Sequence, residues 1–395
     1  MRTSTSRGDR AGRPRSGWSP VWLAAVATIL WTSPVLAEDS QRNFAGSVQL
    51  DYLAVPTDDV GRDQALDGAT VELSLKLTID HSDNITSNIK VCVACHGMEL
   101  GMAFFDLRVS DEFNVRVGRF IPSFGNFPVR HDPANHRTSD KPLPYDMGRM
   151  LRIREWNMSV LPAPWVDNGI EINGSRFFGD SQLDYAVYAI GGPRGGNDAV
   201  DFDYIQSRSR SAYYVDNNSR PTIGARLGGT LGLSESVSAS LGVSGMAGTY
   251  DPANELGFAI AGLDMVWRFD RTIVRAEYLY RRTQMSLGAD PRSRFRYGPG
   301  EDGEYDDYFV KHGFYAEIEQ PVGKFDLVAR IDGMRRAGNV VNTSPLRSIS
   351  TVVRHTAALT YRIHGPLRLK SSIEFYDFSD FEDELAIHAG LAGPF

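Results

Sequence analysis

The sequence predicts an all-β protein, specifically a transmembrane antiparallel β-barrel of about 16 strands. Three observations support this prediction. Apolar and polar residues alternate with period two in many segments, short turns and long loops follow each other in regular order, and no apolar run beyond the N-terminus reaches about 18 residues. Glycine (38 residues) and aromatic residues (11%) are plentiful. Strands with one polar and one apolar face suit a barrel that has lipid outside.

The first 37 residues have the order of a secretory signal. Five arginines precede an apolar core at Val21 to Trp31, and Val35-Leu36-Ala37 forms a cleavage site before Glu38. We therefore expect a signal peptide at 1–37 and the barrel at 38–395. An N-terminal membrane anchor is the alternative, although the apolar run is short for a spanning helix.

The alternation is clearest in Thr70–Asp80, where valine, leucine and isoleucine occupy every second position. The same pattern, followed along the chain, predicts sixteen strands. They are Asn43–Val55, Thr70–Asp80, Ile85–Val93, Met98–Val109, Asn114–Gly118, Val166–Phe178, Gln182–Gly192, Pro221–Leu231, Ser236–Tyr250, Leu256–Arg268, Ile273–Met285, Tyr308–Gln320, Phe325–Arg336, Ile349–Ile363, Leu367–Phe378 and Glu384–Phe395.

Loop lengths predict the location of this barrel. One end has only short turns, at 81–84, 110–113, 179–181, 232–235, 269–272, 321–324 and 364–366, and the other has nearly all the long loops. Short periplasmic turns and long extracellular loops are typical of barrels in the bacterial outer membrane, whereas a soluble β-sandwich does not separate loop lengths in this way. Lipid is therefore an expected partner. The net charge of −7 argues against a nucleic-acid partner.

Both cysteines of the chain lie in the motif Cys92-Val-Ala-Cys95-His96, the attachment signature of a c-type haem. Each thiol can form a thioether with a haem vinyl group, and His96 can bind the iron as an axial ligand. The motif predicts one covalent haem c. A C-x-x-C redox pair, a disulfide and half of a zinc site are the alternatives.

The motif falls in the hairpin between strands three and four. Alternation places Cys92 on the lumen side of its strand. The register of the next strand puts Met98, Leu100, Met102 and Phe104 on the same side, which predicts an apolar haem wall inside the barrel. The candidate sixth ligands are Met102, Met98, His131 and His136.

The segments 113–125 (FNVRVGRFIPSFG) and 167–174 (DNGIEING) resemble phosphate-selective porins of the O/P type, and the strand plan is similar over nearly the whole mature chain. The resemblance implies an outer-membrane porin fold, in which the long loop that carries His131 and His136 folds into the pore. A homotrimer is a candidate assembly. Those porins carry no C-x-x-C-H motif.

Basic side chains recur at positions expected to line the pore. Rings of such side chains favour anions. Acidic residues on the same strands, among them Glu317 and Glu374, neutralise part of this charge. The predicted pore-lining residues are Arg116, Arg275, Arg330, Arg354 and Arg368.

Two functions from different classes remain. The first is electron transfer at or across the outer membrane through one covalent haem, with a periplasmic or extracellular redox partner. The alternative is a diffusion porin for small anions in which the motif is structural or unoccupied. Haem-based sensing or peroxide chemistry is a weaker third reading. The sequence carries no nucleophile elbow, Walker loop or H-E-x-x-H motif, so an electron carrier is favoured over an enzyme.

Overall fold

Sixteen antiparallel strands close into a barrel in which β1 pairs with β16. The computed structural model describes residues 41–56, 68–94, 97–213 and 215–395. The predicted fold is confirmed, and the predicted signal peptide at 1–37 lies outside the described residues. The strands are β1 Gln41–Ala54, β2 Gly68–Ser82, β3 Ile85–Ala94, β4 Gly97–Arg108, β5 Asn114–Phe120, β6 Asp167–Phe178, β7 Ser181–Ile190, β8 Thr222–Ser234, β9 Val237–Thr249, β10 Gly257–Phe269, β11 Thr272–Gln284, β12 Tyr308–Val322, β13 Phe325–Gly338, β14 Ile349–His364, β15 Leu367–Phe378 and β16 Glu384–Pro394.

The described helices are single turns in the loops. They are the α-helical turns Tyr204–Ser207 and Pro291–Arg294 and the 3₁₀ turns Phe127–Arg130, Pro133–Asn135, Leu143–Tyr145 and Arg210–Tyr213. None of the helices in the described ranges has both the length and the apolar character to cross a membrane.

The outer face of the barrel is apolar and exposed. On β13 the side chains of Phe325, Leu327 and Ile331 are 42%, 46% and 39% exposed, and Leu369 and Ile373 continue this face on β15. In water each exposed apolar Å² would cost about 25 cal/mol, so a band of this kind requires lipid. A closed barrel also leaves no strand edge unpaired within the bilayer. The predicted outer-membrane location is confirmed.

The connections at the two ends differ in length. At one end the strands are joined by short turns, such as 179–180 and 323–324, as the sequence predicted. At the other end the connections include 121–166 and 191–221. The connection from β3 to β4 spans only positions 95–96 and is the shortest at this end.

The segment 121–166, called the inserted segment below, fills much of the lumen. Its aromatic residues Phe127, Tyr145 and Trp156 are no more than 2% exposed. They belong to one apolar cluster with wall residues from many strands, including Phe104 on β4 and Tyr376 on β15. The barrel therefore encloses a packed core at the level of the inserted segment. The other members from the inserted segment are Phe124, Leu143, Met150, Leu151, Ile153, Val160, Leu161, Ala163 and Trp165.

The seam between β1 and β16 is completed by the last residue. Phe395 and Gly46 exchange two backbone hydrogen bonds of 2.8 and 3.0 Å, and the Phe395 ring lies over Gly46. A Cβ atom on Gly46 would lie 2.4 Å from the ring. The glycine therefore provides the space that the terminal ring occupies.

We predict that Gly46→Ala displaces the Phe395 ring and destabilises the seam by about 1–3 kcal/mol, the usual cost of overpacking. The temperature at which the barrel loses its folded mobility on a denaturing gel measures this effect. Gly245→Ala is the matched control, because a Cβ on that outward-facing glycine meets only one atom, at 3.9 Å. Equal unfolding temperatures for the two variants would contradict the assigned role of Gly46.

Candidate functional site

The cysteine motif lies at the tip of the β3–β4 hairpin, at the long-loop end of the barrel. Cys92 pairs with Glu99 and Ala94 pairs with Gly97. Cys95 and His96 lie outside the described residues, so their predicted haem contacts remain predictions. Cys92 is described, and its half-buried side chain lies on the lumen side.

A β-bulge at Gly101 interrupts the hairpin. Val91 pairs with Leu100 and Lys90 with Met102, which leaves Gly101 as the extra residue. A Cβ atom at this position would lie 2.9 Å from the sulfur of Cys92. The thiol therefore packs into space that exists because residue 101 is a glycine.

The bulge corrects the predicted facing of two residues. Met98 is 55% exposed and pairs with the exposed Val93, so it lies on the outer face, and Leu100 pairs with Val91 on that face. Met102 is partly buried against the lumenal core and Phe104 is 8% exposed, so both face the lumen. Because of the extra residue, Met98 and Leu100 face outward although Met102 and Phe104 face the lumen.

A small crevice separates Cys92 from the inserted segment. Its volume is about 70 Å³, and its lining includes Glu72, Cys92, Glu99, Asp132, Arg149 and Arg208. A porphyrin is far larger. The predicted position of a haem inside the lumen therefore does not fit this packing.

His131 has both ring nitrogens engaged. Its Nδ1 lies 2.6 Å from the carbonyl oxygen of Pro128, and its Nε2 lies 3.0 Å from Nζ of Lys90. Burial and the charge of Lys90 lower the pKa of His131, so the ring is neutral. With Nδ1–H donating to the carbonyl, Nε2 accepts from Lys90 and is not available to a haem iron.

Lys90 ties the inserted segment to β3. Its ammonium group, on a side chain that is 4% exposed, donates to the carboxylate of Asp132 at 2.5 Å. Burial alone would raise the pKa of Asp132, but the hydrogen bond and charge of Lys90 are among the interactions that outweigh it and lower that pKa. The carboxylate is therefore ionised at neutral pH and anchors the segment to the wall.

His136 differs from His131 in having one free nitrogen. Nδ1 lies 2.9 Å from the carbonyl oxygen of Thr138, whereas the buried Nε2 has no hydrogen-bond partner among the described residues. Burial, together with the nearby charges of Lys370 and Lys141, lowers the pKa of His136 well below its usual value. The ring is a neutral imidazole that lines the same crevice as Cys92.

The predicted pore-lining arginines face the lumen, but most do not line an open path. Arg275, Arg330 and Arg354 are 8%, 4% and 0% exposed. Arg275 pairs with Glu317 and Glu319, and Arg354 donates to Asp332 and Glu374. The prediction of a basic ring around the pore is corrected for these three, because the inserted segment covers them and carboxylates neutralise them.

Several of these cations bond carbonyl oxygens of the inserted segment. Arg330 donates to the carbonyl of Asp140 at 3.2 Å, and Arg368 to that of Ala134 at 3.0 Å. Lys370 donates to the carbonyl of Pro133 at 2.5 Å. These side chains act as donors for an irregular backbone, a role that alternation along the strands does not reveal.

The opposite wall keeps half-exposed charges. Lys76 and Asp80 lie on the lumen face of β2, below the crevice, and Asp106 and Arg116 face the lumen from β4 and β5. Arg116 is 26% exposed and donates to Asp106 at 2.8 Å. Half-exposed charges therefore line this wall between the Lys90–Asp132 contact and the short-turn end.

Closed topology, a lipid-facing exterior and a lumen crossed by an inserted loop define a porin-like outer-membrane barrel. Solved structures of this class share the fold. An outer membrane channel DcaP of Acinetobacter baumannii is 13% identical with TM-score 0.51, covering 92% of this chain and all of that one. An anion-selective porin from Comamonas acidovorans is 11% identical with TM-score 0.52, covering 90% and 100%. The in-vitro folded trimer form of OmpT of Vibrio cholerae is 9% identical with TM-score 0.52, covering 91% and 100%. No protein-family model and no curated protein matches the chain.

We predict that Asp132→Ala lowers the free energy of unfolding by about 2–3 kcal/mol, since it leaves the buried Lys90 without its charged acceptor. Chemical denaturation in detergent, followed by tryptophan fluorescence, measures the change. Asp111→Ala is the control, because its ion pair with Arg108 is exposed on both sides and such pairs contribute less than about 1 kcal/mol. Similar losses in the two variants would contradict an anchoring role for Lys90 and Asp132.

Proposed function

We propose that the chain is a porin-like barrel that passes small ions along the wall formed by β2 to β5. The observation that carries this proposal is the group of half-exposed charges between the Lys90–Asp132 contact and the short-turn end. The inserted segment packs into one core cluster with the wall, so the path is narrow. By analogy with the trimer form of OmpT, we also propose a homotrimer.

The charges along the path have both signs. Arg116 stands beside Asp106, and in the crevice Arg208 pairs with Glu99 while Arg149 pairs with Glu72. Paired charges attract anions less than a free basic ring does. The geometry therefore favours small ions with weak selectivity over a channel that strongly prefers anions.

Conductance across a planar bilayer tests this function. The wild-type protein should give small current steps, and Arg116→Glu should shift the reversal potential in a salt gradient toward cations, because it reverses a charge on the path. Arg271→Glu is the control, since it changes the same charge in an exposed short turn. A wild-type protein without current steps, or equal shifts in both variants, would overturn the proposal.

Electron transfer through one covalent haem c is the second candidate. It is favoured by the position of the motif on the shortest connection at the barrel rim. Each thioether forms when a thiol S–H adds across a haem vinyl group, so no further oxidant or leaving group is needed. A redox partner would then approach from the extracellular side.

A haem stain of a denaturing gel tests the second candidate. Protein made together with the cytochrome c maturation machinery should keep its haem on the gel and show a reduced α-band, whereas Cys92→Ala with Cys95→Ala should lose both. The double variant should retain the ion conductance of the wild type, because the barrel does not depend on the haem. Absence of covalent haem from the wild-type protein would exclude this candidate and leave the ion path untouched.

A further inference from the structure

A second group of ionisable side chains lies deep in the lumen, where the inserted segment meets the wall. Asp140 comes from the inserted segment, Glu374 from β15 and His388 from β16. All three are at most 1% exposed. One ligand atom from each lies within 4.8 Å of the other two.

Several atoms of this group lack hydrogen-bond partners within the described part of the chain. They are both carboxylate oxygens of Asp140, Oε1 of Glu374 and Nε2 of His388. Nε2 of His388 is 3.6 Å from Oδ2 of Asp140 and 3.9 Å from Oε2 of Glu374, too far for a hydrogen bond. Buried polar groups are seldom unpaired, because each costs about 1–3 kcal/mol, and more when charged. The arrangement therefore points to a cation between the three side chains.

The surrounding contacts orient these side chains toward a common point. Nδ1 of His388 is 2.8 Å from a carboxylate oxygen of Asp51 and donates to it, which leaves Nε2 directed toward Asp140 and Glu374. Metal-binding histidines commonly have a carboxylate behind them in this way. Glu374 is held by the guanidinium of Arg354 at 2.9 Å and the hydroxyl of Tyr376 at 3.0 Å.

The charges that face the group leave it negative. Arg354 lies 3.6 Å from Asp140, and Arg330 lies 3.9 Å from Glu374. Both arginines also pair with Asp332. Arg149 pairs with Asp51 at 2.9 Å, so three guanidinium groups face the four carboxylates of Asp51, Asp140, Asp332 and Glu374. The carboxylates therefore outnumber the guanidinium groups, which favours a cation at this place.

We propose that Asp140, Glu374 and His388 bind one divalent transition-metal ion, which fastens the inserted segment to β15 and β16. One imidazole and two carboxylates suit Zn²⁺, Fe²⁺ or Mn²⁺ better than Mg²⁺ or Ca²⁺, which prefer oxygen ligands alone. Ligand atoms of a tetrahedral ion with bonds of about 2.0–2.2 Å stand about 3.3–3.6 Å apart. The separations of 3.6 and 3.9 Å from Nε2 of His388 therefore need little change to close on an ion. The proposal is independent of ion passage and of haem.

Metal binding is tested on the untagged full-length protein in detergent. All variants carry Cys92→Ala and Cys95→Ala, so that the thiols cannot bind zinc. The protein is unfolded with a chelator, refolded without metal and dialysed against Zn²⁺. We expect one Zn²⁺ per chain, a higher unfolding temperature with Zn²⁺ than without it, and a visible d–d absorption with Co²⁺ in place of Zn²⁺.

Asp140→Asn and His388→Asn should each weaken Zn²⁺ binding by more than about 100-fold, since removing even an outer-shell partner costs about 10–100-fold. Asp51→Asn should weaken it by about 10–100-fold and change the Co²⁺ spectrum without abolishing it, which keeps the test decisive if a ligand variant does not fold. His355→Asn, at an exposed position on β14, is the control and should bind as the parent does. Absence of bound Zn²⁺ in the parent, or unchanged affinity in every variant, would overturn the proposal.

Discussion

The inserted segment has almost no regular secondary structure, and its buried carbonyl groups need donors from elsewhere. A buried carbonyl without a donor is costly, and the barrel wall supplies the donors as lysine and arginine side chains. Lys311 alone contacts the carbonyls of Trp156, Asn157 and Met158 at 2.6–3.3 Å. Glu277 supplies the complementary acceptor, taking hydrogen bonds from the backbone N–H groups of Asn126 and Phe127. The position of the segment, and hence the width of the passage, depends on these bonds.

This constraint explains why one half of the lumen is closed and the other is partly open. Strands β11 to β15 carry most of the buried cations, and the inserted segment packs onto them. Strands β2 and β3 hold the segment through Lys90 with Asp132 and through Arg149 with Glu72, and the charges below these contacts stay half-exposed. Ion passage is expected below these contacts, on the same wall as Cys92.

The sequence predicted the barrel well because alternation is a local property. In Thr70–Asp80 the polarity of each residue predicts the face of the strand on which it lies, and the loop lengths predict the two ends of the barrel. The face of Met98 was predicted wrongly because the bulge at Gly101 depends on cross-strand pairing, which alternation within one strand does not record. The group of Asp140, Glu374 and His388 had no local signal at all. Asp140 lies more than 230 residues before Glu374 and His388 in the chain, so the three side chains meet only after the inserted segment folds into the lumen.

Because the lumen is filled unequally, the two sides of the barrel differ in how easily their backbone hydrogen bonds open. Opening a hydrogen bond on β11 to β15 would expose buried ions such as Arg281 and Arg354 that are fully covered at rest. On β2 to β5 the lumenal charges Lys76, Asp80, Asp106 and Arg116 are already half-exposed, so local opening near them costs less. Backbone amides should therefore exchange with deuterium sooner on the β2–β5 wall. The barrel thus has a rigid side and a compliant side, and the cysteine hairpin belongs to the compliant one.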